Sequence, residues 1–183
     1  MFERTSSRRR RLKTALAAVG IVLTTLGGIA IAAQDRYTVQ TPGGLGFTDF
    51  QGYDKWEVMA TSLGPDATAV ILGNPAMIDA AKAGIPGSGQ KFPDGAKMAK
   101  IHWTKKMNAE GFPATVPDVL HDIDFMAKDS TRFADTGGWG YAQFNYNAAA
   151  DTFTPLGTGA NCGYACHQAA ATKDYVFTGY PKR

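Results

Sequence analysis

The chain has 183 residues, 44% hydrophobic and 19% charged, enough for one ordinary core and too apolar for intrinsic disorder or a collagen-like repeat. Its formal charge of +3 belongs to the N-terminus, where Arg4, Arg8, Arg9, Arg10, Arg11 and Lys13 are six of the 19 basic residues and Glu3 is one of the 16 acidic ones, leaving 13 bases against 15 acids, net −2. No basic cluster follows Lys13, so nucleic-acid binding loses its electrostatic basis.

Residues 1–33 read as an export signal, and residues 34–183 as the folded domain. The basic run Arg8-Arg9-Arg10-Arg11-Leu12-Lys13 precedes an uncharged stretch from Thr14 to Ala33 that ends in Ala30-Ile31-Ala32-Ala33, small residues at a signal-peptidase spacing. The alternative is an uncleaved membrane anchor, since the stretch is just long enough to span a bilayer; Thr24, Thr25, Gly27 and Gly28 dilute its apolar character. Either way the expected location is outside a bacterial cytoplasm, in the periplasm. Such a compartment permits disulfides, but two cysteines cannot form a disulfide framework.

From Gln34 to about Phe50 the sequence has no period and reads as a lead-in arm. A turn is expected at Gly64-Pro65-Asp66, and the run Ala67 to Leu72 predicts a buried strand. Asn74-Pro75 predicts a helix start, with Asn74 as N-cap and proline in the first turn, ending at Gly84. Phe92-Pro93-Asp94-Gly95 is a turn before a strand over 96–105. That strand sets Ala99, Ile101 and Trp103 on one face and Met98, Lys100, His102 and Thr104 on the other. A third strand, 119–127, places Leu120, Asp122, Asp124 and Met126 opposite His121, Ile123 and Phe125. An aromatic strand follows over 137–146, then a loop from Asp151 to Gly159, a short helix around Cys166 to Ala171, and a terminal stretch Asp174 to Thr178. The order predicts a single α+β domain, mainly antiparallel β-sheet with a few short helices.

The most informative segment is Cys162-Gly163-Tyr164-Ala165-Cys166-His167. Two thiols followed at once by histidine is the arrangement that attaches haem c: the thiols form thioethers to the vinyl groups and the histidine ligates iron. Three residues separate the cysteines here where two are usual. A local disulfide between Cys162 and Cys166 is one alternative; a metal site is another, although two cysteines and one histidine leave structural zinc short of a ligand.

Several further segments occur in an order that resembles the cytochrome P-460 family. They are the tryptophan segment at Trp56, the apolar strand before Gly73-Asn74-Pro75, and Phe92-Pro93-Asp94-Gly95 with Lys100 five residues beyond. Lys128-Asp129-Ser130-x-Arg132-Phe133, Gly138-Trp139-x-Tyr141 and the closing Cys-His with Asp174-Tyr175-Val176-Phe177-Thr178 complete the set. The resemblance implies a five-coordinate haem c in a mostly β fold, held by Cys162 and Cys166 with His167 on the iron, and usually a homodimer. It also implies a covalent link from a lysine to the porphyrin edge, which falls at Lys100. Members that oxidise hydroxylamine carry a distal carboxylate, normally glutamate, and Asp124 takes that position, one methylene shorter. A carboxylate in a partly apolar pocket can act as base. The family's arginine six residues before the proline is Ala69 here.

The expected function is therefore oxidation of hydroxylamine to nitrous or nitric oxide, with electrons passed to a soluble cytochrome. A non-catalytic nitric oxide or carbon monoxide binder of the c-prime-beta type is the alternative, favoured if an aromatic such as Phe125 sits over the iron. An electron carrier would need a sixth ligand from His102 or His121.

Overall fold

The computed structural model describes residues 33–156 and 160–182; the side chains of residues 160–162 fall outside that description. The expected export signal lies outside it too, apart from Ala33 at its end. No helix among the described residues is long and apolar enough to cross a membrane.

Six strands form one antiparallel sheet in chain order: β1 Glu57–Leu63, β2 Ala67–Gly73, β3 Lys97–Asn108, β4 Ala114–Lys128, β5 Trp139–Asn147 and β6 Thr152–Leu156. Each strand pairs with the next, as sequential strands most often do. Two short helices, α1 Pro75–Lys82 and α2 Ala160–His167, complete the expected α+β domain. Asn74 caps α1 as predicted: its Oδ1 accepts from Met77 N at 3.0 Å and from Lys97 N at 2.9 Å, and its Nδ2 donates to the Gly95 carbonyl at 2.8 Å. One side chain thus starts the helix and joins it to the first residue of β3.

The sheet separates two cores. On one face Ile71, Met98, Met126 and Tyr141 pack with Met77 and Ile78 of α1 and with Val176 of the C-terminal segment. On the other, Leu72, Ala99, Ile123, Phe125, Ala142 and Phe144 pack against Leu45, Phe47, Phe50 and Tyr53. The stretch expected as a lead-in arm therefore packs onto one face of the sheet and is part of its core. Its short 3-10 turns, Phe47–Phe50 among them, have no long period to betray burial.

Three other expectations are corrected. Residues 152–156 form the edge strand β6, not loop, and Pro155 is tolerated at an edge. The helix expected from Cys166 begins at Ala160, so both cysteine positions lie within α2, and a 3-10 segment Gln168–Lys173 continues it. Leu120 does not share a face with Asp122. His102 pairs with Asp122 and Trp103 with Leu120, so His121 is an extra residue in the ladder. This bulge breaks the alternation and sends Leu120 to the opposite core, beside Ile101.

Candidate functional site

The antiparallel register lines up Ala60, Ile71, Lys100, Asp124, Gln143 and Leu156 in one row across all six strands. Five of these, from Ile71 to Leu156, line a cavity of about 480 Å³, walled otherwise by Met98, Met126, Tyr141 and Val176 and closed by α2 through Gly163, Cys166 and His167. Its size and apolar walls are those of a site for a cofactor or small molecule. Lys100, Asp124, Cys166 and His167, far apart in sequence, all border this one space. Cys162 sits one helical turn before Cys166, and its side chain lies outside the described residues.

The approach of α2 to the sheet is set by Gly163, where an added Cβ would lie 2.5 Å from the Tyr141 side chain. His167, the last residue of α2, packs its ring between Tyr141 and Phe177, at centroid distances of 5.1 and 4.9 Å. Its Nδ1 lies 2.6 Å from the Tyr175 carbonyl oxygen. A carbonyl can only accept, so Nδ1 carries the proton and Nε2 keeps its lone pair, the state of a histidine ready to ligate a metal. Burial pushes the His167 pKa down and outweighs the hydrogen bond to Tyr175, which acts the other way; the Lys100 charge adds to the lowering. Tyr175 and its neighbour Asp174 both adopt left-handed backbone, φ 64° and 48°, a conformation uncommon outside glycine. Asp174 is held there by a buried pair with Lys128 Nζ at 2.8 Å and by accepting from Phe92 N at 2.8 Å.

Asp124 Oδ1 is buried without a hydrogen-bond partner. Burial is the main reason its pKa is pushed up to about 6; the negative charge of Asp122 adds to this, while His102, Lys100 and His121 pull it back. Asp122, 7% exposed, sits one alternation away. It accepts from His102 Nδ1 at 2.6 Å and from His121 Nδ1. Burial raises its pKa, but these two hydrogen bonds outweigh burial and hold the group low. Donor atoms of His102, Asp122 and Asp124 lie within 4.8 Å of one another, but His102 Nδ1 is 3.7 Å from Asp124 Oδ2, beyond a hydrogen bond.

Neither His102 nor His121 lines the cavity, so neither is placed to serve beside His167 as a ligand to a group held there. Sequence reasoning weighed them singly as ligands and expected them to face apart. It missed their common carboxylate, which the bulge at His121 creates; the only local signal was the failing alternation after Trp103. Ala69, at the place of the family's arginine, is buried and pairs with His102 across β2 and β3. Phe125 borders the cavity, but its ring stacks on Phe50 at 4.2 Å in the opposite core.

The residues fit a haem. An imidazole with a free Nε2 stands beside an exposed thiol at Cys166, against apolar walls suited to a macrocycle. Tyr141 Oη and Asp124 Oδ1 are both buried and unpartnered. Such orphaned atoms cost roughly 1–3 kcal/mol each when left unsatisfied, so a polar partner inside the cavity is what they lack. Fold and site together define a haem c cytochrome built on an antiparallel sheet. Residues 21–178, most of the chain, match the Cytochrome P460 family model, and the chain belongs to that family. A comparison with curated proteins finds no match.

Proposed function

We propose that this cytochrome oxidises hydroxylamine toward nitric or nitrous oxide and passes the electrons to a soluble cytochrome. The observation that carries the reading is Asp124, a carboxylate with an unpartnered buried oxygen, in the same cavity as His167. In this reading Cys162 and Cys166 hold the haem through thioethers, His167 Nε2 binds the iron, and Lys100 is joined to the porphyrin edge. Bound there, the haem supplies an iron that accepts the electrons.

Every electron that leaves hydroxylamine on its way to these products is matched by a proton, so a base in the pocket has work at each step. Asp124 is raised far enough by burial to exchange protons near neutral pH while still being mostly ionised at pH 7. Ile71, Met98, Met126 and Val176 give the cavity beside it apolar walls. Export rests on the basic and then uncharged leader, and a homodimer on the family resemblance.

Gas binding without turnover is the second reading, favoured by the largely apolar lining of the cavity. The polar Asp124 weighs against it, as does the packing of the Phe125 ring in the other core. Steady-state oxidation with an artificial electron acceptor tests the choice. The wild type should turn over, and Asp124→Ala should bind hydroxylamine yet react about 10²–10⁴-fold more slowly. A wild type that binds nitric oxide tightly and never turns over hands the function to the gas-binding reading. Wild-type rates in Asp124→Ala would leave the carboxylate a bystander.

A further inference from the structure

We propose that Gln143 orients the substrate in the cavity: its amide donates a hydrogen bond to the hydroxylamine oxygen and so favours this substrate over diatomic gases. The inference rests on the reading of Asp124 as the cavity base, which sets the substrate beside that carboxylate. Gln143 and Asp124 are direct partners across the β4–β5 ladder, and both line the cavity. Side chains so paired rise from one face of a sheet about 5 Å apart at Cβ, a span that one small molecule bridges.

The sheet under the cavity is patterned in two rows. Met98, Met126 and Tyr141 make one across β3, β4 and β5. Two residues away along each strand, Lys100, Asp124 and Gln143 make the next, bounded by Ile71 on β2 and Leu156 on β6. Along β5 the residues of this face alternate from Trp139 to Tyr141, both buried in the core, and then to the half-buried Gln143. The Gln143 side chain makes no hydrogen bond to another described residue. An amide carries two N–H donors and an acceptor oxygen, and these need a partner once a bound molecule displaces water from them.

The two neighbours are chemically complementary. An ionised Asp124 can only accept, so it takes an O–H or N–H of the substrate. The substrate oxygen keeps lone pairs that call for a donor, and Gln143 Nε2 is the donor next to Asp124. Lys100, its other cross-strand partner, is committed to the porphyrin edge in the same reading. Ser62, on β1, stands three strands from Asp124, about 14 Å at the usual strand spacing. Thr178 belongs to the closing segment and not to the sheet. Nitric oxide and carbon monoxide bring no O–H or N–H to the carboxylate and are poor acceptors for the amide. A site built to hydrogen-bond its substrate rejects molecules that lack those groups, because its own polar atoms are then left unpaired.

The test uses the haem-loaded protein and reads equilibrium binding by visible spectroscopy under anaerobic conditions. Hydroxylamine is titrated into the ferric protein with no electron acceptor present, and carbon monoxide into the ferrous protein. Gln143→Met keeps the length of the side chain and removes the amide. Its Kd for hydroxylamine should rise about 5–10-fold, the worth of one neutral hydrogen bond, while its Kd for carbon monoxide stays within about 2-fold of the wild type. Gln143→Asn, which keeps the amide one methylene short, should fall between the two, and it carries the same comparison if Gln143→Met does not load haem. Wild-type hydroxylamine affinity in the variants overturns the assignment. So does an equal loss for both ligands, which marks a merely structural role. The base reading is decided separately, by the turnover rate of Asp124→Ala. If the wild type never turns over, the proposed oxidation fails, and the ratio of the two affinities alone decides whether Gln143 recognises hydroxylamine.

Discussion

Lys100 and Asp124 are direct partners across the β3–β4 ladder, and both side chains border the same cavity. Side chains at paired positions rise from one face of a sheet only about 5 Å apart at Cβ, so a cation and a carboxylate are held side by side against one space. The Lys100 side chain makes no hydrogen bond to another described residue, which leaves its Nζ available to a group inside the cavity. Replacing it by Ala should return the visible spectrum of the holoprotein to that of an ordinary c-type haem. An unchanged spectrum in Lys100→Ala rules out the cross-link.

Attachment through α2 has its own signature. Positions 162 and 166 are one helical turn apart, so the unusual spacing still puts both on one side of the helix. Acid-acetone treatment should leave the colour with the wild type and remove it from a Cys162→Ala/Cys166→Ala variant. An intact mass showing a disulfide and no haem would count against thioether attachment.

The pH dependence follows from Asp124. A base must be ionised, so kcat/KM should climb as pH rises through about 6 and level off above it. Stability should run the other way. Folding raises this pKa, mainly by burial, so the protonated form is favoured in the native state. Its contribution is fully present below the unfolded value and is lost as pH rises through about 6. Asp124→Asn should therefore gain stability over the wild type at pH 7 and show no such gain near pH 3, as measured by denaturant titration.

The closing segment hangs on a buried ion pair. Lys128 and Asp174 side chains are 3% and 2% exposed, and the lysine also donates to the Gly137 carbonyl and lies 5.0 Å from the Trp139 ring centroid. Lys128→Met leaves the Asp174 carboxylate buried with only the Phe92 amide, and removal of one partner of such a pair typically costs about 3–5 kcal/mol. Thermal unfolding should report this loss. Because the same segment presents the Tyr175 carbonyl to His167, haem loading should fall with it. Wild-type stability in Lys128→Met would show that the pair is dispensable.

The amino-acid order alone settled what depends on neighbours in the chain. Asn74-Pro75 starts a helix because cap and proline act within one turn, and β2 shows in a β-branched run bounded by turn residues. The cysteine–histidine segment carries its chemistry in six consecutive residues. What only the tertiary structure decided depends on register and on packing across long separations. The burial of Phe47 and Phe50 has no period to reveal it, and the short edge strand β6 exists because β5 offers it a partner. The meeting of Lys100, Asp124, Cys166 and His167 in one cavity follows from strand pairing and from α2 lying on Tyr141. The shared carboxylate of His102 and His121 required the bulge between Leu120 and Asp122. One extra residue in a ladder reverses the face of everything beyond it, and that choice is made by the partner strand, out of sight of the local sequence.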